Sequence, residues 1–373
     1  MNRGISGANL PALRHHNAAL VLDLLRAATR HGTGGISRLE LAERTGLTPQ
    51  AVSKITARLR AEGLAEESGR QASTGGKPRT ELRLVRGARY AAGVHLDRDE
   101  LTVVLADLSG ERVAARTSRL DLGRPAEEVL AAVAREVGAL DAGPALLGVG
   151  VAAPGPLDHA SGVLHRVTGF PDWDGFPLRD ALERRLGLRV VVDKDTNAAA
   201  LAVLGQDAGG GSGGGGRGGG SFAYLHLGTG LGAGLVLDGA IFRGERTGAG
   251  EFGHQVVQLD GPVCGCGNRG CIEAMCLAAV ERGDTAGAAY LLGVGAANLV
   301  SLLDIDRVVL GGRTVLADEA LFGREVAAVL TERTARSAGR TVPVSVAPGG
   351  TRVVADGAAL LVLASVFGGA VPG

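Results

Sequence analysis

The sequence is poor in aromatic residues, in cysteine and in long apolar runs. Aromatic residues make up 3% of the 373 residues, whereas hydrophobic residues make up 45%, so a globular core must be built mainly from small aliphatic side chains. The first residues include Arg3 and have little hydrophobic length, so no secretory signal peptide is expected. The most apolar run, at 360–367, is too short to span a bilayer and predicts a buried terminal helix. We therefore expect a cytoplasmic protein with no membrane partner.

Charge of either sign is not in excess overall, but it is unevenly distributed. The chain has 39 basic and 39 acidic residues. Residues 1–88 contain 14 Lys and Arg against 7 Asp and Glu, and the remaining residues contain 25 against 32. A basic module on an acidic body is typical of a module that contacts a polyanion. A small domain can also be basic by chance, so charge alone does not decide the matter.

All four cysteines, Cys264, Cys266, Cys271 and Cys276, lie in one short segment. In a reducing compartment such close spacing favours a metal site over disulfide bonds. The Cys-x-Cys-x4-Cys spacing with interleaved glycines allows three thiolates to face one ion, and either His254 or Cys276 would supply the fourth ligand. Three thiolates and one imidazole favour zinc, and a site without an open coordination position would be structural.

Residues 1–88 have the pattern of a winged helix-turn-helix. A first apolar-periodic helix extends to about residue 30, and a second short helix follows Ser37. Thr48 is a favourable N-cap and Pro49 a favourable first residue for a third helix, which ends at Gly63. Two strand-like segments, at 64–68 and 80–85, enclose a polar loop at 69–79. We therefore predict an α+β DNA-binding domain over residues 1–88.

The third helix supplies the candidate base-reading face. If Val52, Ile55 and Leu59 face inward, the polar side chains of this helix face solvent. Glutamine, lysine and arginine are side chains that read base edges or bind phosphate, and the cations of the wing tip suit a narrow minor groove. The predicted DNA-contacting residues are Thr48, Gln50, Ser53, Lys54, Arg58, Lys77 and Arg79. The competing interpretation is a small helical domain with a solvated basic face.

From residue 89 to residue 373 the pattern changes to strands that alternate with helices. Strands are predicted at 94–106 (a hairpin), 147–151, 190–192, 222–227, 230–237 and 307–310. Helices are predicted at 126–139, 178–186, 197–204, 286–303 and 321–335. This alternation indicates an α/β body, with two lobes expected from its length. Residues 209–220 are almost entirely glycine and predict a disordered surface loop.

Several motifs of this body resemble one family. The strings GAGEFGH at 248–254 and CGCGNRGCIE at 264–273 are its most specific signature, accompanied by APGP at 153–156, PDW at 171–173, DKDTNA at 193–198 and LGTGLGAG at 227–234. With them the chain resembles the ROK family of repressors, open reading frames and sugar kinases. The winged head is similar to that of its repressor branch, of the xylose-repressor type. The resemblance implies a two-lobed body of the actin-like, sugar-kinase (ribonuclease-H-like) ATPase type.

The resemblance also implies the roles of individual residues. The residues implied at the sugar are Lys194, Asp195, Glu251, His254 and Glu273. Asp195 matches the base that, in the kinases, takes the proton from the attacking hydroxyl; an ordinary N-cap is the alternative role for it. The implied zinc ligands are His254, Cys264, Cys266 and Cys271, which leaves Cys276 as an apolar residue of the following helix.

The sequence departs from the kinases at the loop that should bind the ATP phosphates. The kinases begin this domain with Asp-x-Gly-Gly-Thr, whose glycines let backbone amides approach the phosphates. Here His95 stands at the position of the acid, and Asp97 and Arg98 stand at the positions of the two glycines. An aspartate repels phosphate and side chains block the close approach, so we expect no catalysis and a vestigial Asp195. The second glycine turn, at 228–234, is intact.

The expected function follows from an intact head, an intact cysteine loop and a changed phosphate loop. We expect a sugar-responsive transcriptional repressor of carbohydrate-utilisation genes that binds an inverted-repeat operator as a homodimer or homotetramer. An ATP-dependent sugar kinase with an accessory head, and a DNA-binding protein whose body serves only for dimerisation, are the alternatives. Lys194 and Gly169 stand where the family has asparagines, so the identity of the sugar stays open.

Overall fold

The computed structural model describes residues 10–30, 35–70, 80–207, 220–335 and 341–366. The wing-tip residues Lys77 and Arg79 lie outside the described residues, and so does all but the last residue of the glycine-rich segment predicted at 209–220.

The N-terminal part contains three helices and a small antiparallel sheet. In chain order its elements are α1 (Leu10–Arg30), β1 (Ile36–Ser37), α2 (Arg38–Thr45), α3 (Pro49–Ala61), β2 (Ala65–Arg70) and β3 (Thr80–Leu84). The sheet order is β1-β3-β2, with Ile36 paired to Leu82 and Ala65 paired to Leu84. The predicted helices and the two wing strands are confirmed, and β1 adds a short third strand.

Local capping explains the turn between α2 and α3. The Ser37 hydroxyl accepts a hydrogen bond from the Glu40 amide, and the Thr48 hydroxyl accepts one from the Ala51 amide. Between the two helices, Gly46 ends α2 with φ +71°, a left-handed conformation that glycine adopts without strain. These signals lie within a few residues of each other, which is why the sequence alone predicts the turn.

The body consists of two lobes. The elements of the first lobe, followed by the helix α6 that comes after its last strand, are β4 (Tyr90–Leu96), β5 (Glu100–Asp107), β6 (Arg112–Arg119), α4 (Ala126–Gly138), β7 (Leu146–Ala153), β8 (Leu157–Asp158), β9 (Val163–Leu164), α5 (Leu178–Leu186), β10 (Val190–Lys194) and α6 (Asp195–Asp207). The remaining elements are β11 (Phe222–Leu227), β12 (Leu231–Leu237), β13 (Ala240–Phe242), α7 (Ile272–Glu281), α8 (Thr285–Leu303), β14 (Arg307–Gly311), α9 (Arg313–Ala317), α10 (Glu319–Ala335), β15 (Val344–Val346) and α11 (Val353–Val366).

The two five-stranded sheets repeat one topology. Their orders are β6-β5-β4-β7-β10 and β13-β12-β11-β14-β15. In each sheet the first three strands form an antiparallel meander, and two further strands are added in parallel to the first strand. The turns β4–β5 and β11–β12 therefore occupy equivalent positions in the two lobes.

Helix α11 joins the head to the body. Its Ala359 and Leu363 belong to the same buried cluster as Val21 and Leu25 of α1. It also packs closely on the first sheet, where a Cβ at Gly150 would lie 1.8 Å from the Ala358 carbonyl oxygen. No side chain fits at that position, so the glycine sets the distance between helix and sheet. The predicted buried terminal helix is confirmed, and it begins at Val353 rather than at residue 360.

Among the described residues, α8 is the helix that is long and apolar enough to cross a membrane by length and composition alone. Its Leu292 and Ala296 are fully buried in the core of the second lobe. A buried core helix passes the same test of length and composition, and α8 packs between α7 and α10 in this way.

Candidate functional site

The candidate site lies in the cleft between the lobes, where the equivalent turns β4–β5 and β11–β12 face each other. The Thr229 hydroxyl of one turn donates to the Asp97 carboxylate of the other at 3.1 Å. Beside this contact is a cavity of about 90 Å³, called the central cavity below, which side chains of both lobes line. The five residues predicted at the sugar all border it: Lys194, Asp195, Glu251, His254 and Glu273. That they contact a sugar stays a prediction.

Lys194 is an internal cation of this cavity. It is the last residue of β10 and is almost fully buried. Its ammonium group donates to the Ala249 carbonyl and, at 3.1 Å, to the Glu251 carboxylate. Because a buried charge is costly without a partner, this ion pair both neutralises Lys194 and fixes the orientation of Glu251.

Asp195 begins α6 and borders the cavity from the first lobe. Its carboxylate accepts a hydrogen bond from the amide of the next residue, Thr196, at 2.6 Å. Burial raises the pKa of the Asp195 carboxyl, and the nearby His226 and the Thr196 amide offset that effect only in part. Removal from water is therefore the larger effect on the pKa of this carboxyl, although it lies at the N-terminus of a helix.

Glu273 and His254 border the cavity from the second lobe. Glu273 lies in the first turn of α7, and its carboxylate accepts the Leu231 amide at 2.8 Å. His254 ends the short 3-10 helix Phe252–His254. A Cβ at Gly253 would lie 2.2 Å from the Leu231 carbonyl oxygen, so the glycine allows this helix to lie directly against β12. The position of both side chains therefore depends on backbone contacts with one strand.

The β4–β5 turn, which the resemblance places at the phosphate loop, takes part in an ion-pair network between the lobes. Arg313, the first residue of α9, donates to Asp99 at 2.8 Å and to Asp97 at 2.9 Å. Hydrogen bonds and charges from both aspartates raise the pKa of Arg313, so it stays protonated. Asp97 was expected to repel phosphate, but the Arg313 guanidinium of the second lobe pairs with the carboxylates of both Asp97 and Asp99. We refer to this network of three residues as the Arg313 tie.

His95 lies beneath the Arg313 tie and is buried, with 7% of its surface exposed. Its ring contacts that of His226 edge-on, with centroids 6.5 Å apart. Among the described residues its Nε2 atom has no hydrogen-bond partner. Burial lowers the pKa of His95 to about 4, and Arg313 acts in the same direction while Asp97 opposes it. His95 is therefore neutral at pH 7.

Three cysteines and one histidine form a candidate metal centre. The ligand atoms of His254, Cys264, Cys266 and Cys271 all lie within 4.8 Å of one another. The Sγ atoms of Cys266 and Cys271 are 3.7 Å apart. With metal–sulfur bonds of about 2.3 Å, the sulfurs of a tetrahedral zinc site lie about 3.8 Å apart, so this separation fits such a site. Cys276 is excluded as the fourth ligand, because its thiol is buried and donates to the Ala288 carbonyl instead.

Backbone hydrogen bonds fix the conformation of the loop that carries the three cysteines of the candidate metal centre. The Cys264 amide donates to the Asn268 carbonyl at 2.8 Å, and the Gly267 amide donates back to the Cys264 carbonyl. Gly270 has φ +67°, and a Cβ there would lie 1.5 Å from the Gln258 carbonyl oxygen. An ion held by this loop would also fix His254, which borders the central cavity.

The predicted DNA-reading face is exposed. Gln50, Ser53, Lys54 and Arg58 are all accessible on α3, while Val52 and Leu59 are buried. Arg58 is 3.7 Å from Glu62 one turn later, a surface pair that water screens. Thr48 acts as the N-cap of α3, so its hydroxyl already has a partner within the protein. That these residues bind DNA stays a prediction.

Some residues of the cavity were missed by sequence reasoning. Thr168 and His226 border it, although neither belongs to a motif that the sequence displays. Thr168 belongs to the irregular segment after β9. Only the folded chain brings these two residues to the cavity, so no local signal could have identified them. Arg98, which the sequence singled out at the phosphate loop, also borders the cavity, and its guanidinium lies 5.9 Å from the centre of the Phe170 ring.

A winged helix-turn-helix joined to a duplicated two-lobed α/β body with a Cys3His loop defines a class of two-domain proteins with an actin-like, sugar-kinase-type body. The chain belongs to the ROK family, whose model matches residues 91–282. A second model, for winged helix-turn-helix DNA-binding domains, matches residues 21–66. The resemblance to this family and the predicted fold class are thereby confirmed.

Several proteins to which this chain is similar carry repressor names. A protein of Caldicellulosiruptor sp. strain Rt8B.4, named as a candidate xylose repressor, is 28% identical over 358 residues, which are 83% of this chain and 86% of that protein. The N-acetylglucosamine repressor of Escherichia coli O157:H7 is 30% identical over 281 residues, 74% of this chain and 66% of that protein.

Solved structures of both regulators and kinases share the fold. A ROK family transcriptional regulator described as a homologue of the Escherichia coli MLC protein superposes with a TM-score of 0.75 and 22% identity, covering 96% of this chain and 97% of its own. A ROK family glucokinase of Streptomyces griseus, in complex with glucose and AMPPNP, superposes with a TM-score of 0.59 and 26% identity. It covers 73% of this chain and 98% of its own.

Proposed function

We propose that this protein is a sugar-responsive transcriptional repressor that binds DNA through residues 1–88 and senses a sugar through residues 89–373 without phosphorylating it. The observation on which the proposal depends is the Arg313 tie in the cleft of a body whose sugar-side carboxylates remain accessible. A cavity that keeps the carboxylates of Glu251 and Glu273, and a cleft bridged by the protein's own ion pairs, suit a sensor better than a kinase.

The head supports DNA binding through an exposed polar face on a firmly seated helix. Two caps and the buried Val52 and Leu59 hold α3 in place, which directs Gln50, Lys54 and Arg58 toward solvent. Such a preorganised helix enters a major groove at little cost in ordering. The exposed cations supply the phosphate attraction that dominates affinity for DNA. The relatives with repressor names support the same role, and a dimer or tetramer on an inverted repeat in the cytoplasm is the arrangement that we propose.

The central cavity supports sugar binding by its chemistry. The carboxylates of Glu251 and Glu273 and the imidazole of His254 border a polar space, which is the donor set that hydroxyl groups need. Glu251 is held by Lys194, and Glu273 is held by the Leu231 amide. Because their orientations are already fixed, a bound sugar ring would not have to order these groups.

Loss of phosphoryl transfer is supported by the Arg313 tie. A kinase stabilises the transferred phosphoryl group by backbone amides and metal ions placed close to it. Here Asp97 and Arg98 replace the loop glycines, and Arg313 crosses from the second lobe to Asp97 and Asp99. Residual sugar phosphorylation is the second candidate function, and the glucokinase with bound AMPPNP on the same fold is the observation that favours it.

We further propose that the Cys3His centre binds one structural zinc ion. With four protein ligands there is no open position for water, and zinc in such a site contributes to folding rather than to chemistry. His254 belongs both to this centre and to the central cavity. The ion would therefore hold one wall of the sugar site.

The test measures operator binding by the full-length protein with and without sugars, using an inverted repeat selected from random DNA. Xylose, N-acetylglucosamine and glucose are the first effectors to examine, and at least one should change operator affinity about tenfold, a coupling of about 1.4 kcal/mol. Glu273→Gln should abolish this response and leave operator binding without sugar intact. Glu281→Gln, at the exposed end of the same helix, is the matched control.

A parallel ATP-coupled assay separates the two candidate functions. The proposal expects no turnover with any of these sugars, and Asp195→Asn should alter the operator response only modestly because no proton is abstracted. ATP turnover that Asp195→Asn stops would establish the kinase instead. A full-length protein that binds no DNA, or whose operator affinity no sugar changes, would contradict the proposal.

A further inference from the structure

The central cavity opens into a second and larger space. This outer cavity measures about 680 Å³, against about 90 Å³ for the central one. Four residues border both cavities: Pro156, Thr168, Glu251 and His254. A ligand held by Glu251 and His254 therefore faces both spaces at once. A single sugar ring in the central cavity would leave the outer cavity unfilled.

The two cavities differ in charge. The central cavity is bordered by the four carboxylates of Asp97, Asp195, Glu251 and Glu273 and by two cations, Arg98 and Lys194. Among the residues that border only the outer cavity, the single charged side chain is that of Arg166. It is exposed, and none of the ion pairs among the described residues includes it; Glu251, the carboxylate that borders the same cavity, is paired with Lys194. The outer cavity thus has a cation without a partner at its wall.

Two glycines without side-chain atoms contribute to the volume of the outer cavity. Gly169 and Gly267 both border the outer cavity and have φ values of +87° and +94°. A Cβ added at either position would meet no atom within 4 Å, so a side chain there would project into open space. At Gly169 the family resemblance leads one to expect an asparagine. Its replacement by glycine removes a polar side chain from the wall that Arg166 shares.

We propose that the effector is an anionic sugar derivative rather than a neutral monosaccharide, an inference that rests on the proposed sugar-sensing function. Its sugar ring occupies the central cavity, and an extension that carries a carboxylate or phosphate group occupies the outer cavity, where it pairs with Arg166. Arginine suits this role because its planar guanidinium binds either anion with two parallel hydrogen bonds. A neutral monosaccharide would leave both the larger cavity and its cation without a contact.

The experiment is calorimetric titration of the full-length protein with matched ligands. Glucose, xylose and N-acetylglucosamine are each compared with two anionic derivatives of the same sugar. One is the sugar 1-phosphate, and the other is the disaccharide in which glucuronic acid is linked to that sugar. The comparison distinguishes a phosphate group from a carboxylate. At least one anionic derivative should bind ten times more tightly than its parent sugar, which corresponds to about 1.4 kcal/mol. Arg166→Ala should remove this preference, measured as the ratio of the two affinities.

Two further variants make the result specific. Gly169→Asn should lower the affinity ratio because it places a side chain in the outer cavity. Asparagine is the replacement chosen because it tolerates a positive φ. Arg119→Ala removes an exposed cation from strand β6, outside both cavities, and should leave the ratio unchanged.

The outcomes separate the inference from the function on which it rests. Parent sugars that bind and change operator affinity, with no derivative binding more tightly, would overturn the inference and leave the sensor intact. A preference for the anion that survives Arg166→Ala would overturn it as well. If neither sugars nor derivatives bind or change operator affinity, the proposed function itself is wrong.

Discussion

The buried His95 makes the stability of the protein depend on pH in a way that one substitution should remove. Its pKa is about 4 in the folded protein because of burial, against 6.5 for an exposed histidine. Since the unfolded chain takes up the proton first, stability is lost as pH falls from about 6.5 to about 4. A difference of about 2.5 units corresponds to about 3 kcal/mol when fully developed, and to about 2 kcal/mol at pH 5.

The assay is urea unfolding at pH 7.5, 6 and 5, followed by fluorescence of the single Trp173, which is buried in the first lobe. His95→Phe keeps a ring but cannot titrate, and the cavity of about 120 Å³ beside it leaves room for the larger side chain. The groups that face His95 are Asp97, His226 and Arg313, and all three are retained.

Wild type should therefore lose about 2 kcal/mol more than His95→Phe between pH 7.5 and pH 5. His165→Gln, which changes an exposed histidine, should follow the wild-type curve. Parallel pH dependences for wild type and His95→Phe would refute the reasoning, because the buried imidazole would then contribute nothing to the linkage.

Two other predictions concern the metal centre and the contact between head and body. Cys266→Ser should abolish stoichiometric zinc binding, lower the melting temperature and weaken sugar binding. Cys276→Ser should keep one zinc ion per chain. Equal zinc contents of the two variants by metal analysis would contradict the assignment of the ligands. Arg30→Ala removes a hydrogen bond of 2.6 Å to the Gly205 carbonyl and should reduce the ratio of operator affinities measured with and without sugar; an unchanged ratio would exclude a role for this contact.

Features whose physical cause is local were predictable from the sequence. The helix-turn-helix depends on Ser37, Gly46 and Thr48, each of which acts on the backbone within three or four residues of itself. The Cys3His cluster was predictable for a similar reason, because three ligands and their glycines share one short loop. The alternative with Cys276 could not be dismissed by spacing and needed the direction of its helix.

Features that depend on distant parts of the chain were not predictable. Strand β6 is exposed over most of its length and carries three arginines, so it lacks the apolar alternation that identifies a strand. The Arg313 tie joins residues more than 200 positions apart, and no local signal marks Arg313 as the partner of Asp97 and Asp99. The loop considered alone led to the expectation that Asp97 repels phosphate, whereas in the folded chain its carboxylate is paired with Arg313.

One helix connects the central cavity to the DNA-binding head. Helix α6 begins with Asp195 at the central cavity, and near its other end the Gly205 carbonyl accepts the hydrogen bond from Arg30 of the head. Helix α11 packs along α6 so closely that a Cβ at Gly357 would lie 1.7 Å from the Ala198 carbonyl oxygen. Packed elements of this kind move as units rather than deform, because interiors are dense and nearly incompressible.

A change in the position of α6 on sugar binding would therefore act on α1 at two places, through Arg30 and through the cluster that α1 shares with α11. Spatial continuity by itself establishes no coupling, which requires an element with two arrangements that both ligands bias. Closure of the two lobes around a bound sugar would be such an element, and the Arg313 tie spans the cleft between the lobes. The family resemblance places Asp97 and Arg98 at the positions of the kinases' phosphate-loop glycines, so we expect the sugar rather than ATP to drive any closure of the lobes in this protein.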